Sequence, residues 1–252
     1  MGLSGKHALV TGGGTGIGLA IAQALAAKGA DVTITGRRQE VLDEVAAQSP
    51  GLSGLAMDVR DEADVVEKVS QSVAKCGPVQ ICVANAGIAE GRALHKTELD
   101  FWRNMMATNL DGAFLTIREA LKSMHTTDWG RVIAVSSIAG LRGLQGASCY
   151  TASKHGMIGL IRGLSEDYLG KPYTFNALCP AYVDTEIVTR NTASISARAG
   201  VSEDTARNIM ISANRHNRLI APEEVAAAAM WLASDASGSV NGQAIEIAGG
   251  MM

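Results

Sequence analysis

Tyr150 and Lys154 stand four residues apart in Tyr150-Thr151-Ala152-Ser153-Lys154. Positions i and i+4 share one face of a helix, which raises the Lys154 ammonium beside the Tyr150 phenol. A phenol titrates near ~10 in water, too high for a base at neutral pH; lowering it by roughly three units takes about 4 kcal/mol of preference for the phenolate. A cation one helical turn away supplies a field of that sign. Ser137 follows the apolar run 131–135, and Asn109 lies in Thr108-Asn109-Leu110-Asp111-Gly112. The chemistry this set suggests is proton transfer by a positioned tyrosine, an effect typically worth ~10² to 10⁴ in rate. Nucleophilic readings fare worse. No Gly-x-Ser-x-Gly elbow surrounds Ser137, Cys149 has no base beside it, and His155 falls on a helical face turned from Tyr150.

A second set of residues is suited to a phosphate. Thr11-Gly12-Gly13-Gly14-Thr15-Gly16-Ile17-Gly18 follows an apolar run and opens a helical one. Small residues let a backbone approach a pyrophosphate, and a helix N-terminus offers it free N–H groups. The spacing is Gly-x-x-x-Gly-x-Gly, and no Lys-Ser or Lys-Thr follows, which excludes a nucleoside-triphosphate P-loop. Further on, Thr33-Ile34-Thr35 ends in Gly36-Arg37-Arg38 rather than in a carboxylate. An acidic residue there would hold the ribose hydroxyls of NAD. A guanidinium instead pairs with a 2′-phosphate, so the expectation is NADP in preference to NAD, with Arg37 the discriminating group.

The elements that must position these groups alternate. Strand-like runs at 7–10, 31–35, 52–57, 79–84, 131–135, 173–178 and 243–247 are interleaved with helical runs at 16–28, 39–48, 62–75, 98–124, 150–169 and 222–234. Such alternation implies right-handed crossovers and a parallel sheet covered on both faces. The expected architecture is α/β: a single Rossmann-type domain over residues 1–252, a doubly wound sheet of about seven strands. The carboxyl ends of its strands would carry the site.

Taken together, these motifs resemble the short-chain dehydrogenase/reductase family over essentially the whole chain: the glycine turn at 11–18, Asn85-Ala86-Gly87, Asn109, Ser137, the Tyr150/Lys154 pair, and the segment from Pro180 to Thr185. The resemblance implies an NAD(P)-dependent oxidoreductase acting on a ketone or secondary alcohol. Tyr150 would exchange a proton with the substrate oxygen, and Ser137 would hydrogen-bond that oxygen. Lys154 would bind the nicotinamide ribose and help ionise Tyr150, and Asn109 would hold a water of the proton relay. Thr11, Gly12, Gly14, Thr15, Gly16, Ile17 and Gly18 would cradle the pyrophosphate. Asp58, followed by Val59, would meet adenine. Asn85, Ala86 and Gly87 would line the cleft near the adenosine ribose, and Pro180, Val183 and Thr185 the nicotinamide end. The resemblance also implies a homotetramer built on paired long helices. Two positions depart from the family pattern: Ala84 replaces a frequent Asn, and Ala181 a frequent Gly. An epimerase, dehydratase or enoyl reductase on the same fold stays open, as does a cofactor-sensing regulator, although a regulator would be expected to lack the tyrosine or the lysine.

Composition bounds the rest. A formal net charge of −3 over 252 residues gives no electrostatic reason to expect a nucleic-acid or membrane partner. Four cysteines match neither a zinc spacing nor a Cys-x-x-Cys pair, and no metal site is expected. They read as reduced thiols of a cytoplasmic protein, and the first ten residues do not read as a signal peptide. Substrate walls are expected from 138–148, Tyr182 and the polar, weakly periodic segment 186–219, read as an irregular lid. That segment holds Arg190, Arg198, Arg207, Arg215 and Arg218. Their excess over acids mildly favours an anionic or thioester-carrier substrate, such as a 3-oxoacyl or 3-hydroxyacyl thioester.

Overall fold

The computed structural model describes residues 2–251, with side chains throughout except at positions 194, 195 and 197–199. Seven parallel strands form one sheet in the order β3-β2-β1-β4-β5-β6-β7. They are β1 (His7–Thr11), β2 (Asp31–Gly36), β3 (Leu52–Ala56), β4 (Val79–Ala84), β5 (Gly130–Val135), β6 (Tyr173–Pro180) and β7 (Ala244–Ile247). β1, β5 and β6 are buried along their whole length. Residues buried on both faces of a parallel sheet read as continuous apolar runs rather than as alternation, which is how these strands show in the sequence.

The helices divide between the faces. On one side α1 (Gly16–Ala26), α2 (Gln39–Gln48) and α9 (Pro222–Leu232) bury Ile21, Leu25, Leu42, Val225 and Leu232 against the sheet. On the other, α3 (Glu62–Cys76), α5 (Gly112–Met124) and α6 (Ser148–Asp167) bury Val65, Val69, Ile117, Met157 and Ile161. Each apolar stripe recurs at three- and four-residue spacing, as a helix packed on a sheet requires.

Two expectations fail in instructive places. The continuous helix over 98–124 is interrupted: α4 (Leu99–Met106) gives way to a π-helical turn over Ala107–Asp111 before α5 begins. Such wide turns are rare and concentrate at functional sites; this one holds Asn109. The segment 186–219 is not irregular. It forms α7 (Glu186–Ala199) and α8 (Glu203–Ala213). Gly200 closes α7 in the left-handed region, at φ 67°, where a missing Cβ removes the steric penalty. Ser202 caps α8 by accepting from the Thr205 N–H at 3.2 Å. These stop and start signals outweigh the weak periodicity.

Candidate active site

The chain order of the sheet reverses between β1 and β4, and a parallel sheet leaves a crevice beyond its carboxyl edge at that switch. Two cavities of about 510 and 460 Å³ lie there and share Gly87 and Ile88 in their walls. The loop after β1 forms the floor. Gly12 and Gly16 hold positive φ of 64° and 54°. A Cβ on Gly18 would collide with the Gly12 carbonyl and the Asn85 amide, so α1 can lie this close to the loop only without one. Thr15 precedes α1 without capping it through its side chain, and no carboxylate sits in the first turn. The positive end of the helix therefore faces the cleft undischarged.

Thr11 and Asn85 brace this floor. The Thr11 hydroxyl accepts from the Asn85 and Ala86 N–H groups, both at 3.0 Å. The Asn85 amide donates to the Thr11 carbonyl at 2.9 Å. Together they tie the ends of β1 and β4, and Thr11 itself lines neither cavity. Gly12, Gly14, Thr15, Ala86 and Gly87 line the larger cavity, and Ile17, Asn85, Pro180, Val183 and Thr185 the other. Gly16 and Gly18 stay beneath, spacing the helix.

At the far end of the larger cavity stand Arg37, Arg38, Asp58, Val59 and Arg60. Asp58 is not a free carboxylate. The Arg60 guanidinium grips it at 2.6 to 3.1 Å and holds its pKa below the usual carboxylate range. Contact of this carboxylate with adenine would have to share it with Arg60. Sequence reasoning passed over Arg60, and also Thr35, whose hydroxyl is buried without a hydrogen-bond partner in the wall of the same cavity. An orphaned buried hydroxyl is uncommon and costs free energy.

The second cavity gathers the proton-transfer set. Ser137, Tyr150 and Lys154 line it, and Ser137 stands near enough to the Tyr150 hydroxyl to lower its pKa. Ser137 lies two residues past β5, where its hydroxyl also accepts from the Ala139 N–H at 3.1 Å. Lys154 rises one turn after Tyr150, but its ammonium donates to the Val135 carbonyl at 2.8 Å and lies 5.8 Å from the centre of the tyrosine ring. Burial brings its pKa down to about 8. Burial likewise holds Tyr150 above the ordinary tyrosine value, and the nearby Ser137 offsets only part of this. Desolvation disfavours both charged forms, and the lysine gives a hydrogen to the Val135 carbonyl; the depression of Tyr150 is an expectation for Lys154 together with an oxidised nicotinamide. At neutral pH the phenol is an acid.

Asn109 sits inside the protein rather than in the cavity wall. Its amide accepts from the Ile88 N–H at 2.8 Å and donates to the Ile88 carbonyl at 2.9 Å and the Ser153 hydroxyl at 3.0 Å. Fully buried, this side chain clamps the cleft wall to α6. His155 is exposed and bonds Thr151 on its own helix, away from Tyr150.

Of the residues 138–148, Tyr182 and 186–219, the second cavity is lined by Ile138, Leu144, Gln145, Ala147, Tyr182 and residues of α7 and α8. Among the described residues, what α7 and α8 present to the cavity is Ile187, Val188, Asn191, Ile209 and Met210 rather than arginine. Arg207 reaches Asp184 at 3.4 Å, Arg215 the Met251 carbonyl at 3.1 Å, and Arg218 pairs with both Glu224 oxygens at 2.6 and 2.8 Å. Arg190 is exposed and off the cavity wall, and the side chain of Arg198 lies outside the described residues. Among the described residues no arginine of this segment lines the cavity. Buried Asn214, missed in the sequence, fixes the lid base through the Tyr182 N–H and carbonyl at 3.0 and 2.9 Å.

Comparison with known proteins gives a consistent set of matches. The family model described as short chain dehydrogenase matches residues 6–196. An acetoacetyl-CoA reductase of Rhizobium meliloti is 35% identical, over 97% of this chain and 98% of its own. A D-beta-hydroxybutyrate dehydrogenase of Cupriavidus necator is 33% identical, over 98% of each. Among solved structures, an actinorhodin polyketide ketoreductase with NADPH superposes with a TM-score of 0.93 at 30% identity, over 97% of this chain and 96% of that one.

Proposed function

This chain belongs to the short-chain dehydrogenase family, and we propose that within it the protein is an NADPH-dependent ketoreductase for 3-oxoacyl thioesters or related ketones. Membership makes it an NAD(P)-dependent dehydrogenase or ketoreductase; the cofactor preference, substrate and residue roles are our reading. The observation that carries it is Tyr150 together with Ser137 and Lys154 in the wall of a largely apolar cavity that opens onto the glycine-loop cleft.

The cleft fits a dinucleotide. The open N-terminus of α1 and the loop at Gly12 would hold the pyrophosphate, Arg37 and Arg38 a 2′-phosphate, and the unpartnered Thr35 hydroxyl supplies a hydrogen bond at the adenosine end. A bound nicotinamide supplies or accepts the hydride. The chain's own part is proton work. Ser137 and Tyr150 both hydrogen-bond the substrate carbonyl oxygen, and Tyr150 gives it a proton as the carbon is reduced. Lys154 holds the nicotinamide ribose, and its neighbouring charge favours the phenolate left behind. Asn109 keeps Ile88 and α6 in register.

The test follows absorbance at 340 nm. NADPH is expected to be consumed in the presence of an acetoacetyl thioester. In Arg37→Ala, consumption with NADH should stay nearly unchanged while affinity for NADPH drops about 10- to 100-fold, the loss of one charge-assisted contact. No consumption with any ketone of a panel refutes the reading, and better use of NADH by the unaltered enzyme refutes its cofactor part. We place the protein in the cytoplasm, on its four free cysteines, and expect a homotetramer. Support for assembly is the groove of α5 and α6 lined by Ile117, Leu121, Leu160 and Leu164, with Phe114 44% exposed. Light scattering at micromolar concentration should give four times the chain mass of 26.2 kDa; a monomer contradicts it.

A further inference from the structure

The walls of the cavity over Tyr150 constrain the charge of what enters. Leu144, Ile187, Val188, Ile209 and Met210 give it large apolar side chains, and Ile187 and Ile209 remain substantially exposed. Ser137, Gln145, Tyr182 and Asn191 contribute neutral polar groups. Among the described residues only two ionisable charges line it, Lys154 and Glu90. Lys154 is buried, is brought down to about 8, and gives a hydrogen to Val135. Glu90 is itself an anion. Its partner Arg92, at 3.6 Å, lies over the Phe101 ring and is not part of the wall. Arg142 acts on the Tyr182 hydroxyl from outside the lining.

A carboxylate two carbons from the reacting carbonyl would enter a space with Glu90 in its wall, where among the described residues the one wall cation, Lys154, already gives a hydrogen to Val135. Burying a charge without a partner is among the costliest events in a protein. An ester or thioester at the same position carries no charge, and its oxygen can accept from the Gln145 or Asn191 amide. Its remaining atoms would cover the exposed faces of Ile187 and Ile209, a gain proportional to the apolar area removed from water.

Resting on the ketoreductase reading, we propose that this cavity selects carbonyl compounds uncharged near the reacting carbon, namely 3-oxoacyl esters and thioesters and simple ring ketones, and rejects free 3-oxo acids. The reaction is the same for both classes: hydride to the carbonyl carbon, the C=O π bond broken, and the proton from Tyr150 to oxygen. Only admission differs.

The test pairs acetoacetate, ionised at neutral pH, with methyl acetoacetate, using the intact enzyme and NADPH. The ester is expected to exceed the acid in kcat/KM by about 100-fold or more, mostly through KM. Asn191→Lys adds a cation to the wall and should raise kcat/KM for the acid about 10-fold or more while lowering it for the ester. An acid reduced within tenfold of the ester overturns the inference and leaves the ketoreductase reading standing. An acid that Asn191→Lys does not improve assigns the discrimination to shape and overturns it too. Failure of both compounds, of cyclohexanone and of an acetoacetyl thioester overturns the inference and the ketoreductase reading together.

Discussion

Tyr150→Phe is expected to lower kcat at least about 100-fold, the loss of a positioned general acid, with NADPH binding retained. The substitution deletes one oxygen. That oxygen has Ser137 beside it, and the ring that remains is the part facing Lys154. Losing one hydrogen bond costs about 1 kcal/mol, small beside the 5–15 kcal/mol that typically holds a domain together, so a folded variant is expected. Rapid-quench turnover and fluorescence titration with NADPH separate the two effects. A variant with more than about a tenth of the original kcat cannot have lost its acid. Because burial holds the phenol above its ordinary value, reduction uses a proton that is fully present at neutral pH.

Lys154→Met is expected to do two things that rarely go together: abolish turnover and stabilise the free protein. Lys154 titrates at about 8 in the fold against 10.5 ordinarily. Between those two values the unfolded chain binds a proton that the folded chain does not, so the wild-type protein gains stability as pH rises from about 8 to 10.5 and loses it as pH falls back through 8. Below 8 the penalty for burying the ammonium is constant, and at 1.36 kcal/mol per pKa unit it is on the order of 3 kcal/mol. Methionine is of similar length, uncharged and apolar. It removes that penalty, less about 1 kcal/mol for the Val135 carbonyl it leaves unpaired. Urea unfolding at pH 7 should therefore show the variant more stable by roughly 1–2 kcal/mol, with the gap closing or reversing by pH 10.5. A variant less stable than the original at pH 7 would show that the ammonium supports the fold, contrary to its burial. Stability stored as a cost at a working residue is the usual trade between stability and activity.

Much of this was legible before any coordinates, for identifiable reasons. The buried strands show as short apolar runs because a covered parallel sheet has no solvent face. The glycine turn is legible because only a missing Cβ allows the approach of Gly18 to Gly12 and Asn85. Tyr150 and Lys154 are one turn apart on any helix. What the sequence hid is what depends on direction. Nothing in the string 186–219 says which helical faces turn inward, and among the described residues its arginines stay off the cavity wall while Ile187 and Met210 line it. Arg60 is two residues from Asp58, a spacing that predicts nothing, yet it occupies both carboxylate oxygens. The balance at Tyr150 also escaped, because i+4 geometry gives a neighbour's charge but not the cost of removing water from both groups. Asn109 was located but not its partners, since Ile88 and Ser153 are 21 and 44 residues away in the chain.

The central claim is that hydride passes between a nicotinamide and a carbonyl carbon over Tyr150, and isotope transfer tests it most directly. With NADPH deuterated at the transferring position of carbon 4 and methyl acetoacetate as acceptor, mass spectrometry of the product should find one deuterium, on the carbinol carbon of 3-hydroxybutyrate methyl ester. Loss of Tyr150 should remove the product without moving the label elsewhere. A product without deuterium, a label appearing instead on a carbon of a reduced C=C bond in an unsaturated acceptor, or cofactor returned unchanged from an epimerised substrate would contradict the account.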